Sequence, residues 1–147
     1  MPVLTPIDHG SPAYAQAVAL RRTVLRLPLG LDFSPDELAA EHGDWHLAIW
    51  SDDGSILAGC LVLNVLGDGI AKMRQVAVAE EWRGRGLGRM LVAFAEQYAR
   101  ERGIRELVLN ARATVVPFYE PLGYAVEGPP FVEVTLPHRR MRKILPV

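Results

Sequence analysis

The feature that most constrains this chain is a strand pattern that runs through a glycine-rich turn into an amphipathic helix. The apolar stretch Val76–Val78 leads into the turn, and apolar residues then recur at helical spacing over residues 87–98. Glycine has no Cβ, so backbone N–H groups of such a turn can converge on one point, and the helix start adds unpaired N–H groups. The pattern therefore predicts a phosphate-binding turn. Its glycines are Gly84, Gly86 and Gly88, and its cations are Arg83, Arg85 and Arg89.

The spacing of these glycines narrows the type of phosphate site. A Walker loop needs lysine followed by serine or threonine after its last glycine, whereas Gly88 is followed by Arg89-Met90. The dinucleotide fingerprint needs G-x-G-x-x-G, and the glycines here are evenly spaced instead. The pattern that remains is Arg83-x-x-Gly86-x-Gly88. An exposed turn with solvated arginines is the alternative interpretation.

The residues before this segment predict two helices and a set of antiparallel strands. Ser11-Pro12 is a helix start, because serine caps a helix and proline is tolerated at its first position. Ser34 and Glu37 have the spacing of a capping box, and Gly43 ends that second helix. Apolar runs between turn residues predict strands at residues 46–50, 56–66 and 70–78.

The residues after the turn predict a mixed sheet. A strand, a crossover helix and a strand near 106–109 give a parallel pair. A short helix is expected over 115–122, followed by closing strands near 124–127 and 131–144. The fold class is therefore α/β, with an α+β mixed sheet. The basic run His138–Lys143 is interpreted as a solvated edge strand, and a contact for an acidic acceptor is the weaker alternative.

Length and charge exclude several classes of protein. A chain of 147 residues fits one domain over residues 1–147, and its net charge of -1 provides no general basic field for nucleic acid. Cys60 is the one cysteine and lies in an apolar run, so we expect a buried, inert thiol. No apolar stretch approaches the roughly 20 residues of a membrane helix, and the start lacks a signal-peptide pattern. We predict a soluble, cytoplasmic protein.

Three further segments support a family resemblance. The Arg83-x-x-Gly86-x-Gly88 pattern is similar to the pyrophosphate motif of the GNAT acyltransferase superfamily. Val76–Val78 falls at that family's central strand, Leu109–Arg112 at the end of its next strand, and Phe118–Tyr124 resembles its F-Y-x-x-x-G-[FY] segment. The stretches 26–31 and 137–141 resemble the ElaA-like branch. The resemblance implies a GNAT-like fold: a mostly antiparallel central sheet with a splayed parallel strand pair, flanked by helices.

The resemblance also implies an activity, namely transfer of an acetyl group from acetyl-CoA to an amine by direct attack, without a metal. Coenzyme A would place its pyrophosphate on the residue 83–89 turn and its pantetheine arm along the backbone of Val76 and Val78. A backbone N–H of that strand would stabilise the oxyanion. Asn110 could hydrogen-bond the arm, and a role as a turn or cap residue is the alternative. The acceptor is a small-molecule or peptide amine.

The same resemblance assigns the proton transfers. Tyr119 would contact coenzyme A and protonate the departing thiolate. A packing role for its ring is the alternative. His138 ranks first as the general base, ahead of His46 and Glu133. His42 and His46 lack a zinc-site context. A non-catalytic acyl-CoA-binding module is the alternative function, while a nucleic-acid binder is disfavoured and no membrane partner is expected. The oligomeric state is left open, a homodimer included.

Overall fold

The computed structural model describes residues 1–146 and has seven strands and four α-helices. The strands are β1 (Val3–Ile7), β2 (Trp45–Trp50), β3 (Leu57–Gly67), β4 (Ile70–Val78), β5 (Glu106–Arg112), β6 (Ala125–Glu133) and β7 (Leu136–Ile144). The helices are α1 (Pro12–Arg21), α2 (Pro35–Ala39), α3 (Leu87–Arg100) and α4 (Val116–Tyr119). Within this described part of the chain, no helix is long and apolar enough to cross a membrane.

All seven strands belong to one mixed sheet in the order β1-β2-β3-β4-β5-β7-β6. The predicted parallel pair is confirmed, because β4 and β5 run parallel. The neighbours β1 and β2, β2 and β3, β5 and β7, and β6 and β7 are antiparallel. Helices flank this sheet, so the mixed α/β fold expected from the sequence is confirmed.

Local signals placed both early helices correctly. The Ser11 side chain accepts a hydrogen bond from the Tyr14 N–H at the start of α1, with proline in the first turn. Ser34 and Glu37 form the predicted capping box at α2. After five residues α2 tightens into a 3₁₀ turn, Ala40–Gly43, and α1 continues as a π-helical turn, Arg22–Arg26.

Three sequence predictions require correction. Strand β1 has no counterpart in the prediction, since Pro6 and the short run 3–7 give little strand signal. The expected helix over 115–122 is instead α4 between two 3₁₀ turns, Ala113–Val115 and Glu120–Leu122, and Pro121 lacks the N–H that would continue α4. Strand β6 runs on through Pro129-Pro130 to Glu133, which an edge strand with a register shift tolerates.

The predicted edge position of the basic run is also wrong. Strand β7 lies between β5 and β6, so the sheet edges are β1 and β6. The basic side chains of β7 therefore cannot act as guards of a free strand edge. The role of these basic side chains depends instead on the face of the sheet that they occupy.

The chain divides into two compact units, described separately below. The first comprises Met1–Asn64 and Gln75–Ala95, and the second Val65–Arg74 and the residues from Glu96. In the first unit, the apolar residues of β2 and β3 are buried, among them Leu47, Ile49 and Leu61. In the second, Leu107, Leu109 and Met141 supply buried side chains from one face of β5 and β7. A single domain over the whole chain stays a prediction.

Candidate active site

The glycine-rich turn has the backbone geometry of an anion site. Gly84 and Gly86 have φ angles of 77° and 78°, a region that residues with a Cβ seldom adopt. The Met90 N–H donates to the Gly86 carbonyl at 3.2 Å, so Gly86 immediately precedes the first turn of α3. The N–H groups of that turn have no partner within the helix. An added Cβ would meet nothing within 4 Å at Gly84 and only an Arg89 nitrogen at 3.8 Å at Gly86, so the turn is open to a ligand.

The arginines of the turn are arranged in two ways. Arg83 Nε donates to the Val78 carbonyl at 3.2 Å, and Arg85 Nη2 donates to the Glu81 carbonyl at 3.4 Å. The Arg85 guanidinium also lies 4.7 Å from the centre of the Trp82 ring. These contacts hold two cations against the turn, while the Arg89 guanidinium reaches the space beside Gly86. The residues present therefore fit a pyrophosphate.

The end of β4 exposes backbone groups on the side that faces away from β3. The Ala79 N–H donates to the Ala58 carbonyl of β3 at 2.8 Å. Peptide groups alternate along a strand, so those of Val76 and Val78 point the opposite way. Gln75 has a φ of 55°, which interrupts the regular strand just before them. The Val78 carbonyl on that side accepts from Arg83 Nε, and contact of Val76 and Val78 with a ligand stays a prediction.

Pairing between the two parallel strands is confined to their beginnings. Ile70, Ala71 and Lys72 pair with Glu106, Leu107 and Val108, and no later pair is formed although both strands continue. The backbone pairing of β4 with β5 therefore ends well before the carboxyl ends of the two strands. This is the arrangement of the splayed pair that the family resemblance implies.

Three polar side chains form a cluster on the second unit. Asn110 Nδ2 donates to Glu133 Oε1 at 3.2 Å, and His138 Nε2 lies 3.7 Å from Glu133 Oε2. His138 Nδ1 lies 2.8 Å from the Leu136 carbonyl, and because a carbonyl only accepts, Nδ1 carries the hydrogen. In the neutral ring Nε2 is then a proton acceptor. Two predicted site residues, Asn110 and His138, thus meet around Glu133.

Tyr119 lies apart from that cluster among aromatic rings. Its ring is 5.0 Å from Phe118 and 5.6 Å from Tyr124, both in edge-to-face geometry. Burial raises the pKa of Tyr119 to about 12. The hydroxyl therefore stays protonated across the working pH range.

The backbone conformation and packing explain why the Phe118–Tyr124 segment has a glycine at position 123. Gly123 has a φ of 98°, and a Cβ there would meet Lys143 Cε at 3.1 Å. The Lys143 ammonium donates to the Leu122 carbonyl at 2.7 Å and to Glu96, which also accepts from the Tyr124 hydroxyl at 2.8 Å. The segment is thus held to α3 and β7 by partly buried polar contacts.

His46 has a different environment from the one expected of a general base. Its Nε2–H donates to the Glu41 carbonyl at 2.9 Å, and its ring packs edge-on against Tyr14 at 5.0 Å. Burial lowers the pKa of His46, opposed by the nearby Glu41 carbonyl and carboxylate. We therefore assign His46 to the interior of the first unit. Cys60 is buried too, and burial raises the pKa of its thiol to about 12.

Sequence reasoning missed three polar residues of β4. Gln75, whose Oε1 is buried without a partner, and the cations Lys72 and Arg74 were not predicted as functional. Strand alternation could have indicated them, because Lys72 and Arg74 share one face while Ala71 and Met73 share the buried one. Over residues 1–146, no group of three or more potential metal ligands is found.

Comparison with known proteins agrees with this geometry. The family model for the acetyltransferase (GNAT) family matches residues 19–124. The uncharacterized Bacillus subtilis protein YyaT is 30% identical over 73 residues, which are 50% of this chain and 49% of YyaT. The match thus spans about half the length of that relative.

Two solved structures share the fold over nearly their whole length. Escherichia coli ElaA superposes with a TM-score of 0.78 at 21% identity, over 97% of this chain and 99% of ElaA. A GNAT family acetyltransferase from Elizabethkingia anophelis with acetyl-CoA bound has a TM-score of 0.75 at 15% identity, over 98% of both chains. At these identities the likeness concerns the fold. Since the family model covers well over half of the residues, the chain belongs to the GNAT acetyltransferase family.

Proposed function

We propose that this protein is an N-acetyltransferase that moves an acetyl group from acetyl-CoA to a primary amine by direct attack. The observation that carries the proposal is the open glycine turn at the start of α3, with two positive φ angles and three arginines. First-turn N–H groups, the helix dipole and fixed guanidinium groups suit a diphosphate. A cytoplasmic location and a homodimer stay predictions.

The donor would be held by backbone as much as by side chains. The peptide groups of Val76 and Val78, which point away from β3, are placed to pair with the amides of the pantetheine arm. Asn110 is the proposed side-chain contact for that arm. Its Nδ2 already donates to Glu133, and its Oδ1 has no partner, so the oxygen is the atom left for a ligand N–H.

Acetyl-CoA, when bound, supplies a thioester carbonyl that the amine nitrogen attacks, with the C–S bond breaking. A backbone N–H at the Gln75–Val78 end of β4 would donate to the carbonyl oxygen, a contact worth about 3–4 kcal/mol. Tyr119 would donate to the leaving sulfur. With a pKa of about 12 against ~8.5 for a thiol, complete transfer is uphill by roughly 5 kcal/mol. Hydrogen bonding to the thiolate is therefore the larger part of its role.

The amine must lose a proton before or during attack. His138 Nε2 is the acceptor atom of the neutral ring, since Nδ1–H is tied to the Leu136 carbonyl. Glu133, 3.7 Å away, would attract the ammonium form of the acceptor and then stabilise the protonated imidazole. We assign His138 as the base and Glu133 as its partner.

Binding of the donor is tested with Gly86→Asp. A carboxylate in the turn repels phosphate, so we expect coenzyme A affinity to fall sharply. Coenzyme A at 100 times its Kd should stabilise the wild type by about 2.7 kcal/mol in thermal unfolding. The matched control is Gly54→Asp, since Gly54 has a φ of 77° against 78° at Gly86 and nothing within 4 Å of an added Cβ, in a different turn. Unaltered affinity in Gly86→Asp would reject the turn as the donor site.

Catalysis is tested with Tyr119→Phe, followed by thiol release from acetyl-CoA with a panel of amines. We expect turnover to fall by about 10²-fold with coenzyme A affinity nearly unchanged. Tyr98→Phe, on the partly exposed side of α3, is the control for loss of a hydroxyl. Coenzyme A binding without thiol release from any amine would replace the proposal by a non-catalytic acyl-CoA-binding module.

A further inference from the structure

One face of the sheet in the second unit is polar and partly exposed. Lys72 pairs with Val108, and Asn110 pairs with Arg140 two residues further along β5. Directly paired residues, and every second residue along a strand, point to the same face. Lys72, Asn110 and Arg140 therefore share this face, which we call the cationic face. The opposite face carries the buried residues Ala71, Met73, Leu107, Leu109 and Met141.

Part of the charge on the cationic face is neutralised internally. Arg142 contacts Glu106 and donates to both oxygens of Glu127 at 3.0 and 3.2 Å. Arg140 is paired more weakly with Glu127, because its Nε lies 3.7 Å from Glu127 Oε1. One basic residue of β7 is thus fully paired and the next is paired only loosely.

The cations of β4 have no such partner. Among residues 1–146, no carboxylate lies within 4 Å of the Lys72 ammonium or the Arg74 guanidinium. Burial lowers the pKa of Lys72, and the charges of Arg74 and Arg140 act in the same direction against the opposing effect of Glu133. Lys72 therefore experiences two neighbouring cations and one carboxylate, Glu133, while Arg140 also lies 3.7 Å from Glu127. Such crowding of like charge is costly unless an anion relieves it.

The cationic face lies beside residues that are proposed to take part in acyl transfer. Glu133 contacts Asn110 and lies beside His138, and it is also the carboxylate that acts on Lys72. Strands β4 and β7 are separated only by β5, a distance of about 10 Å that long cationic side chains can bridge. A small molecule could therefore meet Glu133 with an amine and the β4 cations with an anionic group.

We propose that Lys72, Arg74 and Arg140 bind an anionic group of the acyl acceptor, which makes the acceptor an amine that also carries a carboxylate or a phosphate. The inference rests on the proposed transferase function and names the substrate class of the same site. Glu133 and His138 receive the amine, and the cationic face selects the acceptor by its negative charge.

The first experiment measures anion binding independently of catalysis. Isotope-labelled protein is titrated with inorganic phosphate at constant ionic strength, and backbone amide shifts are followed residue by residue. We expect saturable shifts at Lys72, Val108 and Arg140, separate from those of the residue 83–89 turn. In Lys72→Met, and in Arg74→Gln as a second variant, the shifts on the cationic face should be lost while the turn still responds. Arg100→Gln, an exposed arginine on α3, should behave as the wild type.

The second experiment compares acceptors that differ by one carboxylate, such as γ-aminobutyrate with butylamine and phenylalanine with phenethylamine. We expect kcat/KM to favour the carboxylated member by about tenfold or more, as for one charge-assisted contact, and Lys72→Met to remove most of this preference through KM. Preference for the neutral amine, or an unchanged preference in Lys72→Met, would overturn the proposal.

The two experiments separate the two proposals. Absence of thiol release with every amine would reject the transferase function, and the phosphate titration would still decide the anion site. Phosphate shifts confined to the residue 83–89 turn, or equal shifts in the wild type and Lys72→Met, would reject the anion site whatever the activity.

Discussion

Two glutamates of this protein show opposite ways of placing a carboxylate. Glu41 is 4% exposed, and its oxygens accept from Arg21 at 2.8 and 2.6 Å and from the Tyr14 hydroxyl at 2.8 Å. The Glu133 side chain is 45% exposed, with one hydrogen bond from Asn110 at 3.2 Å and His138 at 3.7 Å. The first carboxylate is held by strong donors on both oxygens, and the second has room to accept more.

This difference distinguishes a carboxylate that stabilises the fold from one that can take part in a reaction. A buried ion pair with short hydrogen bonds fixes two segments in one geometry, here α1 and the turn that follows α2. A half-exposed carboxylate beside a histidine with a free acceptor nitrogen can exchange partners and protons with a ligand. Identical residue types thus have unlike roles because burial and donor count differ.

The largest effect is expected when the same substitution is made at both positions. Glu41→Gln leaves the Arg21 guanidinium buried without its counter-charge, so we expect a loss of about 3–5 kcal/mol in free energy of unfolding. Glu133→Gln should change it by less than about 0.5 kcal/mol. Urea denaturation of the two variants measures both values. Equal destabilisation would contradict the distinction drawn between the two carboxylates.

The partner substitution sharpens this result. Replacing both members of the pair, with Arg21→Met and Glu41→Leu, should recover most of the loss, because an apolar pair avoids the desolvation of two charges. A double variant as unstable as Glu41→Gln would contradict the assignment of the loss to the unpaired charge.

The two histidines give the next largest contrast. His138→Gln removes the proposed base, so we expect kcat/KM to fall by about 10²-fold with coenzyme A affinity unchanged. His46→Gln, in the buried cluster with Glu41, should reduce stability but leave the activity of the folded fraction in place. An unchanged kcat/KM in His138→Gln would remove His138 from the base role.

Acidification should act selectively on the buried pair. Burial works to raise the pKa of Glu41, but the hydrogen bonds and charge of Arg21 outweigh it, and the net pKa lies below the usual value. A lowered folded-state pKa gives stability that is present above the unfolded pKa of about 4.3 and is lost as pH falls through the folded value. The stability difference between wild type and Glu41→Gln should therefore shrink below about pH 4. A difference that grows on acidification would reverse the assigned sign.

The smallest effect concerns the hairpin that carries Glu133. Its two turn residues, Val134 and Thr135, have φ angles of 44° and 67°, which β-branched residues seldom adopt. The β3–β4 hairpin uses Asp68-Gly69, a favoured pair, for the same two-residue turn. We expect Val134→Asn with Thr135→Gly to raise the free energy of unfolding by about 1 kcal/mol. A thermal unfolding scan that shows no gain would argue against strain at this turn.

Local chemistry made much of the fold predictable. Capping at Ser11 and Ser34, the Asp68-Gly69 turn and the strand–turn–helix around Gly84 and Gly86 are all decided within a few residues. The helix predicted over 115–122 was too long, because Pro121 lacks the N–H that would continue α4 beyond Tyr119. Strand β1 was missed because five half-exposed residues give little signal without their partner β2.

The candidate site was likewise only partly predictable from the sequence. Spacing alone identified the turn and its arginines, and the family resemblance added Tyr119, Asn110 and His138. Neither could show that Glu133 connects Asn110 to His138, because that contact needs the register of β6 against β7.

The sequence by itself determined what depends on neighbours along the chain: helix starts, tight turns and a backbone shaped for a phosphate. Only the tertiary structure decided which strand is internal, which glutamate is buried and which cations lack a counter-charge. The reason is that burial and pairing depend on residues far apart in the sequence, as when β7 enters between β5 and β6 and turns a basic run into one face of a sheet.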